Sequence, residues 1–197
     1  MKNNFTFLLL KAAMPVMTKK ALPTRQCRKA VIQEYKAVCR RSKDIGSGNP
    51  WLSCYAMAAW FIAMNRCNNL SPDENYVILE QGMKQSRIFP KFMGTGDAFI
   101  SRNQFGKVKK WTEDHADCPY ENDWRRTLHP QSVDCALAFD FTECGLCKLC
   151  RDEGCVELVQ YLCRLDFMMA EIMGLRLERS STLAGGDSKC DFRYYKL

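Results

Sequence analysis

The stretch that decides the fold class, residues 175–197, reads LRLERSSTLAGGDSKCDFRYYKL. Apolar side chains alternate with polar ones over residues 175–179 and again over 190–195. The glycine-rich segment 185–188 separates the two alternating runs. Alternation on both sides of a glycine turn predicts an antiparallel β-hairpin with one buried face.

A second pair of strands is predicted upstream of this hairpin. Residues 135–141 again alternate between apolar and polar side chains, and residues 124–129 are a candidate partner strand that turns back at Pro130. Between the two strand pairs, the pattern favours a long helix over about 155–173 that stops at Gly174, a natural C-terminal cap. The C-terminal half therefore has the predicted order ββαββ.

The N-terminal half is predicted to be helical. Residues 27–43 form a basic amphipathic pattern, and residues 51–67 are apolar almost all round, as in a helix buried on most sides. A helix over 71–86 would begin with a capping box formed by Ser71 and Glu74.

The elements together predict an α+β fold in which N-terminal helices pack on an antiparallel sheet. Residues 87–122 are interrupted by glycines and prolines, and their pattern supports only one short helix or strand over 98–111. The predicted domain organisation is a basic N-terminal helical extension, residues 1–48, followed by an α+β domain, residues 49–197.

The distribution of charge argues against nucleic-acid binding. The 197 residues carry 29 Lys and Arg against 22 Asp and Glu, a net charge of +7. Residues 1–50 hold eleven of the basic residues and two of the acidic ones, so the rest of the chain is slightly acidic. Proteins bind nucleic acids largely by releasing counterions from the phosphates, and this requires a basic surface. Residues 51–197 do not carry the excess of basic residues that such a surface needs.

The chain also lacks the sequence patterns of export and of a membrane span. Lys11 interrupts the apolar run 5–10 before it reaches the length of a signal-peptide core. The longest uncharged apolar run, 51–65, is shorter than a bilayer-spanning helix. We therefore expect a cytoplasmic protein without membrane contact, in which the twelve cysteines stay reduced and serve metal, cofactor or catalytic chemistry.

Four cysteines, Cys144, Cys147, Cys150 and Cys155, have the spacing C-x2-C-x2-C-x4-C. Four thiolates this close in sequence can converge on zinc or on an iron–sulfur cluster. The alternative is that only one or two of these thiols have a functional role and the others pack as small buried apolar groups.

Two further segments carry candidate site residues. Asp166 and Cys163 lie in the apolar stripe of the predicted helix, where a carboxylate needs an ion pair, hydrogen bonds or a metal. Asp166 would either pair with Arg179 or Arg193 of the hairpin or face a substrate cavity. In the hairpin, the Thr182–Gly186 segment would either form the turn or contribute to an anion pocket.

These pieces together resemble the L-2-amino-thiazoline-4-carboxylic acid hydrolase family. The resemblance covers about residues 50–197 and is specific over 142–193. The residues that carry it are Thr142-Glu-Cys144, Cys163-Arg-Leu-Asp166, Arg179-x-x-Thr182-Leu-Ala-Gly185-Gly186 and Cys190-Asp-Phe192. Cys147, Cys150 and Cys155 do not belong to the family pattern.

The resemblance implies a hydrolase that opens a cyclic amidine or thiazoline ring at a non-peptide C–N bond of a small carboxylated substrate, giving a carbamoyl-cysteine product. Asp166 would be the acid or base that activates water, and Arg179 would hold the substrate carboxylate. Cys144, Cys163 and Cys190 would line the site as nucleophile or metal ligands. Thr182, Gly185 and Gly186 would donate hydrogen bonds to the substrate.

Two other readings of the sequence remain open. One is a non-catalytic metal or iron–sulfur sensor built on Cys144, Cys147, Cys150 and Cys155, with zinc or a cluster as its cofactor. The other is a small-molecule-binding domain whose cysteines only pack. The enzyme reading requires only a small-molecule substrate as partner, and the sequence indicates no oligomeric state.

Overall fold

The computed structural model describes residues 14, 18, 22, 24–46, 48–117, 119–132 and 135–197. The apolar run 5–10, considered above for export, lies outside these residues. The chain divides into two compact units. The helical unit comprises Met1–Ser86, Tyr120–Asn122 and Gly145–Leu162, and the sheet unit comprises Arg87–Pro119, Asp123–Cys144 and Cys163–Leu197.

Helices fill most of the described chain between residues 24 and 115. The α-helices are α1 (Arg25–Arg41), α2 (Leu52–Cys67), α3 (Pro72–Lys84), α4 (Phe89–Met93), α5 (Gly96–Phe99), α6 (Arg102–Asp114), α7 (Gly145–Asp152) and α8 (Val159–Ile172). The strands are β1 (Arg125–Leu128), β2 (Leu137–Glu143), β3 (Leu175–Glu178) and β4 (Cys190–Lys196). Short 3-10 helices cover Val156–Leu158 and Leu183–Gly185. The predicted α+β class and the order ββαββ are confirmed.

The core of the helical unit is α2. Its side chains from Tyr55 to Met64 are all buried, as its uniformly apolar sequence predicts. Helix α1 buries Val31, Tyr35 and Val38, and the Tyr35 ring meets Trp60 of α2 edge to face at 5.3 Å between centroids. The basic helix therefore packs against α2 within the helical unit. The domain division at residue 48 stays a prediction.

The predicted capping box of α3 is confirmed. The Ser71 hydroxyl accepts a hydrogen bond from the Glu74 amide, and the Glu74 carboxylate accepts one from the Ser71 amide. These two bonds satisfy amide groups that a helix start otherwise leaves unpaired.

The sheet unit contains an antiparallel sheet with strand order β1-β2-β4-β3. In the central pair, Phe139 lies opposite Phe192 and Phe141 lies opposite Cys190. The Phe139 and Phe192 rings stack at 5.1 Å between centroids. Since side chains alternate along a strand, one sheet face carries this aromatic row and the thiol of Cys190.

Two parts of the sequence prediction need correction. The segment predicted to hold one short helix or strand contains three helices, α4 to α6. Thr95 caps α5 and Ser101 caps α6. The sequence did not predict them because α5 is too short and α6 too polar to show a clear apolar period. The cysteine-rich segment contains α7, which was not predicted. At Gly174 the predicted stop is confirmed, with a left-handed φ of 74° after α8. No helix within the described ranges has the length and apolar character needed to cross a bilayer.

Candidate active site

The sheet unit contains all five polar residues that the sequence singled out as the centre of a site. Cys144 follows β2, Cys163 and Asp166 lie on α8, Arg179 follows β3, and Cys190 begins β4. The strand register explains part of this arrangement, because Cys190 lies directly opposite Phe141, three residues before Cys144.

Asp166 and Arg179 form an ion pair, with 2.6 Å between Arg179 Nη1 and Asp166 Oδ2. The second guanidinium nitrogen, Nη2, donates to the Cys163 carbonyl at 2.8 Å. The arginine side chain is only 4% exposed and that of Asp166 is 24% exposed. The aspartate is thus held from one side and keeps partial access to solvent.

Two aromatic rings flank the Arg179 guanidinium. Its central carbon lies 5.0 Å from the Phe167 ring centre and 4.9 Å from the Phe192 ring centre. Cation–π contacts of this kind stabilise a cation that has lost its water. Arg179 is therefore fixed in position. Of the two predicted partners of Asp166, Arg179 forms the ion pair and Arg193 does not.

The environment of Asp166 raises the pKa of its carboxyl to about 6. Burial is the main cause, because it penalises the charged form, and the charge and hydrogen bond of Arg179 act in the opposite direction. A carboxyl group with a pKa near neutrality exchanges protons readily at cellular pH, as a general acid or base must.

Two of the thiols around this pair, those of Cys163 and Cys190, are less acidic than ordinary cysteines. Burial raises the pKa of Cys163, and the charges of Asp166 and Cys144 add to the effect. Burial also raises the pKa of Cys190 to about 11, although the Leu183 amide donates to its Sγ at 3.2 Å. The three cysteines and Asp166 therefore lie within electrostatic range of one another, and Cys163 and Cys190 are protonated at neutral pH.

The Asp191 carboxylate holds the segment after Arg179 in place through hydrogen bonds. Its carboxylate accepts hydrogen bonds from the amide and hydroxyl groups of both Ser180 and Ser181, at 2.6 to 2.9 Å. Burial raises the pKa of Asp191, but these hydrogen bonds outweigh it and lower the pKa well below its usual range. No pattern in the sequence predicted a role for this aspartate, although serine pairs such as Ser180-Ser181 often donate hydrogen bonds to a nearby carboxylate.

The predicted substrate-binding turn is held together by its own hydrogen bonds. The Thr182 hydroxyl accepts from the Gly185 amide at 3.0 Å, and the Thr182 amide donates to Asp187. The Gly186 amide donates to the Leu183 carbonyl, and Gly186 has a left-handed φ of 94°. These groups shape the turn that presents the Leu183 amide to Cys190.

A comparison with protein-family models gives a match over residues 52–194, more than two thirds of the chain. The matching model describes L-2-amino-thiazoline-4-carboxylic acid hydrolase. The chain belongs to this family. Neither a curated protein nor a solved structure gives a significant match.

The other cysteines of the cysteine-rich segment, Cys147, Cys150 and Cys155, lie in the helical unit. Cys147 and Cys150 lie on α7, where Cys150 is completely buried, and Cys155 is buried just after it. A hydrogen bond with the Cys150 thiol lowers the pKa of Cys155.

The structure gives the predicted metal site no support. Within the described part of the chain, no group of three or more His, Cys, Asp or Glu side chains is arranged to hold a metal ion. Cys150 is completely buried on the helix formed by Gly145–Asp152, where a thiol packs as a small apolar group. Metal binding by these cysteines stays a prediction.

Proposed function

We propose that this protein is a hydrolase that opens the ring of a thiazoline or related cyclic amidine bearing a carboxylate. The family match covers every residue of the candidate site. The observation that carries the proposal is the Asp166–Arg179 ion pair among three cysteines, because it supplies a titratable carboxyl group and a cation in one place.

In the proposed reaction, Asp166 removes a proton from a water molecule as the water attacks the carbon of the C=N bond. The attack gives a tetrahedral carbon that carries a hydroxyl group. Asp166 passes its proton to the ring nitrogen, and collapse of the tetrahedral carbon to a carbonyl breaks the bond between this carbon and the ring nitrogen. The nitrogen leaves as an amine and takes up the proton of the hydroxyl group. The product is a carbamoyl-cysteine, which contains the atoms of the substrate plus one water molecule.

Water is preferred to a cysteine as the attacking group. The nucleophilic form of cysteine is the thiolate, and the raised pKa values of Cys163 and Cys190 keep these two residues protonated at neutral pH. The carboxyl group of Asp166, with a pKa of about 6, is largely ionised under the same conditions. The proposal therefore assigns the thiols of Cys163 and Cys190 to the lining of the site, without a role as nucleophile.

Arg179 has two roles in this proposal. Its bonds to Asp166 and to the Cys163 carbonyl orient the base. A guanidinium group has five N–H donors, and those that remain would receive the substrate carboxylate. Thr182, Gly185 and Gly186 act by holding the turn whose Leu183 amide reaches Cys190, and not by binding substrate through their own amides.

The test is turnover of 2-amino-thiazoline-4-carboxylate, followed as carbamoyl-cysteine by liquid chromatography and mass spectrometry. Asp166→Asn keeps the shape of the side chain and removes the base, so we expect the rate to fall by about 10²- to 10⁴-fold. Glu171→Gln, at an exposed position on the same helix, is the matched control and should keep the wild-type rate. Circular dichroism of both variants checks that the fold is retained.

Two results would contradict the proposal. Undiminished turnover by Asp166→Asn would remove Asp166 as the base. A covalent adduct of substrate on Cys144, Cys163 or Cys190, detected by mass spectrometry of the enzyme under turnover, would replace attack by water with attack by a thiol.

A further inference from the structure

The sheet unit contains a cavity of about 530 Å³. Its walls come from α5, the start of α6, the β1–β2 loop, β3 and the end of β4. Cys190 begins β4 and Lys196 ends it, so the two are about 20 Å apart along the strand at the usual rise per residue. The cavity is therefore distinct from the cysteine-lined site.

The charges on the cavity wall are mostly positive. Arg102, Arg176 and Lys196 line it, each from a different element, and Asp97 is the acidic residue among the lining residues. Cations that converge on one cavity from separate elements favour a ligand with several negative groups.

Hydrogen bonds to backbone carbonyls hold the cavity wall in shape. The Gln131 side chain donates to the carbonyl of Ile100 at 3.2 Å and to that of Ala136 at 2.9 Å, which ties the β1–β2 loop to the α5–α6 corner. The Gly96 amide donates to the Met173 carbonyl at 2.7 Å. A side chain at position 96 would clash with that carbonyl, so glycine permits this close approach.

The three cations differ in how strongly they are already engaged. Lys196 pairs with Asp97 at 2.8 Å, and both side chains are well exposed, so this pair is easily exchanged for a ligand. Arg176 pairs with Glu178 and stacks on Tyr195 at 4.3 Å, which fixes the plane of its guanidinium. Within the described part of the chain, Arg102 has no ion-pair partner.

We propose that this cavity binds a small organic anion that carries two or more carboxylate or phosphate groups. Its volume falls within the range of ordinary small-molecule sites. Arg102 and Arg176 would each hold one oxyanion group through paired N–H donors. The ring of Tyr195 and the side chains of Ile100 and Ala136 would contact the carbon skeleton. The proposal does not depend on the hydrolase activity.

The test is isothermal titration calorimetry of the full chain with citrate and, separately, with pyrophosphate at about 0.1 M salt. The first probe carries carboxylates only and the second phosphates only, so the pair distinguishes the two sources of oxyanion. We expect at least one of them to bind with a submillimolar Kd and to raise the melting temperature. Arg102→Gln and Arg176→Gln should each weaken binding by about tenfold, because each removes a charged hydrogen-bonding partner.

Lys109→Gln is the matched control. Lys109 is an exposed cation on the same helix as Arg102 and does not line the cavity. Its loss should change Kd by less than about twofold, as expected for a distant surface charge. The proposal is overturned if neither anion binds at 10 mM, on the order of ten times the weakest Kd expected. Equal weakening by Lys109→Gln and Arg102→Gln would also overturn it, because general charge attraction would then explain the binding.

Discussion

The carboxyl group of Asp166 balances two opposing influences. Burial favours its neutral form, and the adjacent guanidinium of Arg179 favours its charged form. The ion pair alone would leave an aspartate fully ionised at all cellular pH values, whereas burial alone would keep it protonated. Their combination brings the pKa to about 6, where a small change in either contact changes the fraction of ionised base.

This balance predicts the pH dependence of turnover. If Asp166 is the base, kcat/KM should rise about tenfold per pH unit below pH 6 and become constant above it. Arg179→Gln removes the charge that lowers the pKa, so the midpoint of the profile should move to higher pH, whatever the loss in rate. A profile that stays flat between pH 5 and about 7.5 would contradict this assignment.

The same pKa affects stability with a sign that can be checked independently. The folded protein keeps a proton on Asp166 that the unfolded chain, with a pKa near 3.8, releases at lower pH. The free energy of unfolding should therefore fall as the pH rises from about 4 to 6, relative to Asp166→Asn, which has no such proton. Urea unfolding of the two proteins across this range measures the difference.

At the scale of an element, the connection between β3 and β4 is shaped by Asp191 more than by its glycines. Asp191→Ala removes four hydrogen bonds to Ser180 and Ser181, all made to a charged carboxylate. We expect a loss of about 1–2 kcal/mol in the free energy of unfolding. Amide exchange at Ser180 and Ser181 should become at least about tenfold faster, because their amides lose their acceptor.

Glu178→Gln is the control for this variant, since Glu178 lies on β3, next to the connection, and makes none of these bonds. Mass spectrometry of deuterium uptake over peptides from this connection measures the exchange. Unchanged uptake in Asp191→Ala would show that the turn is held by its backbone alone.

The helical unit depends on a group of charges around Glu153. This carboxylate, 4% exposed, accepts hydrogen bonds from Arg41 of α1 and Arg66 of α2 at 2.6 to 3.1 Å. Glu34 of α1 bonds the same two arginines, and the hydrogen bond from Arg41 contributes most to lowering the pKa of Glu34. Two helices are thus joined through one carboxylate in the segment after α7.

Replacing Glu153 with Gln should therefore weaken the packing of α1. It leaves both arginines facing an uncharged amide, and we expect a loss of about 1–3 kcal/mol, because the arginines keep partial contact with water. The loss should shrink at high salt, which screens the wild-type pair. Glu157→Gln, at an exposed position four residues away, should change the stability by less than about 0.5 kcal/mol. Equal losses in both variants would contradict this role of Glu153.

For the molecule as a whole, the regular patterns were predictable and the short, capped elements were not. Period-two alternation was sufficient to predict both strand pairs, and Asp166 stood out as a charge in an apolar stripe. The same alternation also predicts which arginine can pair with Asp166. Arg193 lies between Phe192 and Tyr194 and so faces the other side of β4, where it pairs with Asp140.

The cysteine-rich segment shows why its own structure, the helix α7, was not predictable from the sequence. The spacing C-x2-C brings two thiols together on a metal, but residues three apart also share one face of a helix. Cys147 and Cys150 have the second arrangement, on α7, and the sequence alone does not distinguish the two. In the structure Cys150 is completely buried on this helix, and metal binding by these cysteines stays a prediction.

The cysteines lead to a prediction for the whole chain. Each of the eleven cysteines in the described ranges carries a thiol, and a chain of this length can bury a sufficient core without cross-links. The melting temperature should therefore change by less than about 1 °C when a reductant is added. Alkylation in denaturant without reductant should modify at least those eleven cysteines. Losing a native disulfide typically costs about 2–5 kcal/mol, so a fall of about 5 °C or more on reduction would contradict a fold held by packing alone.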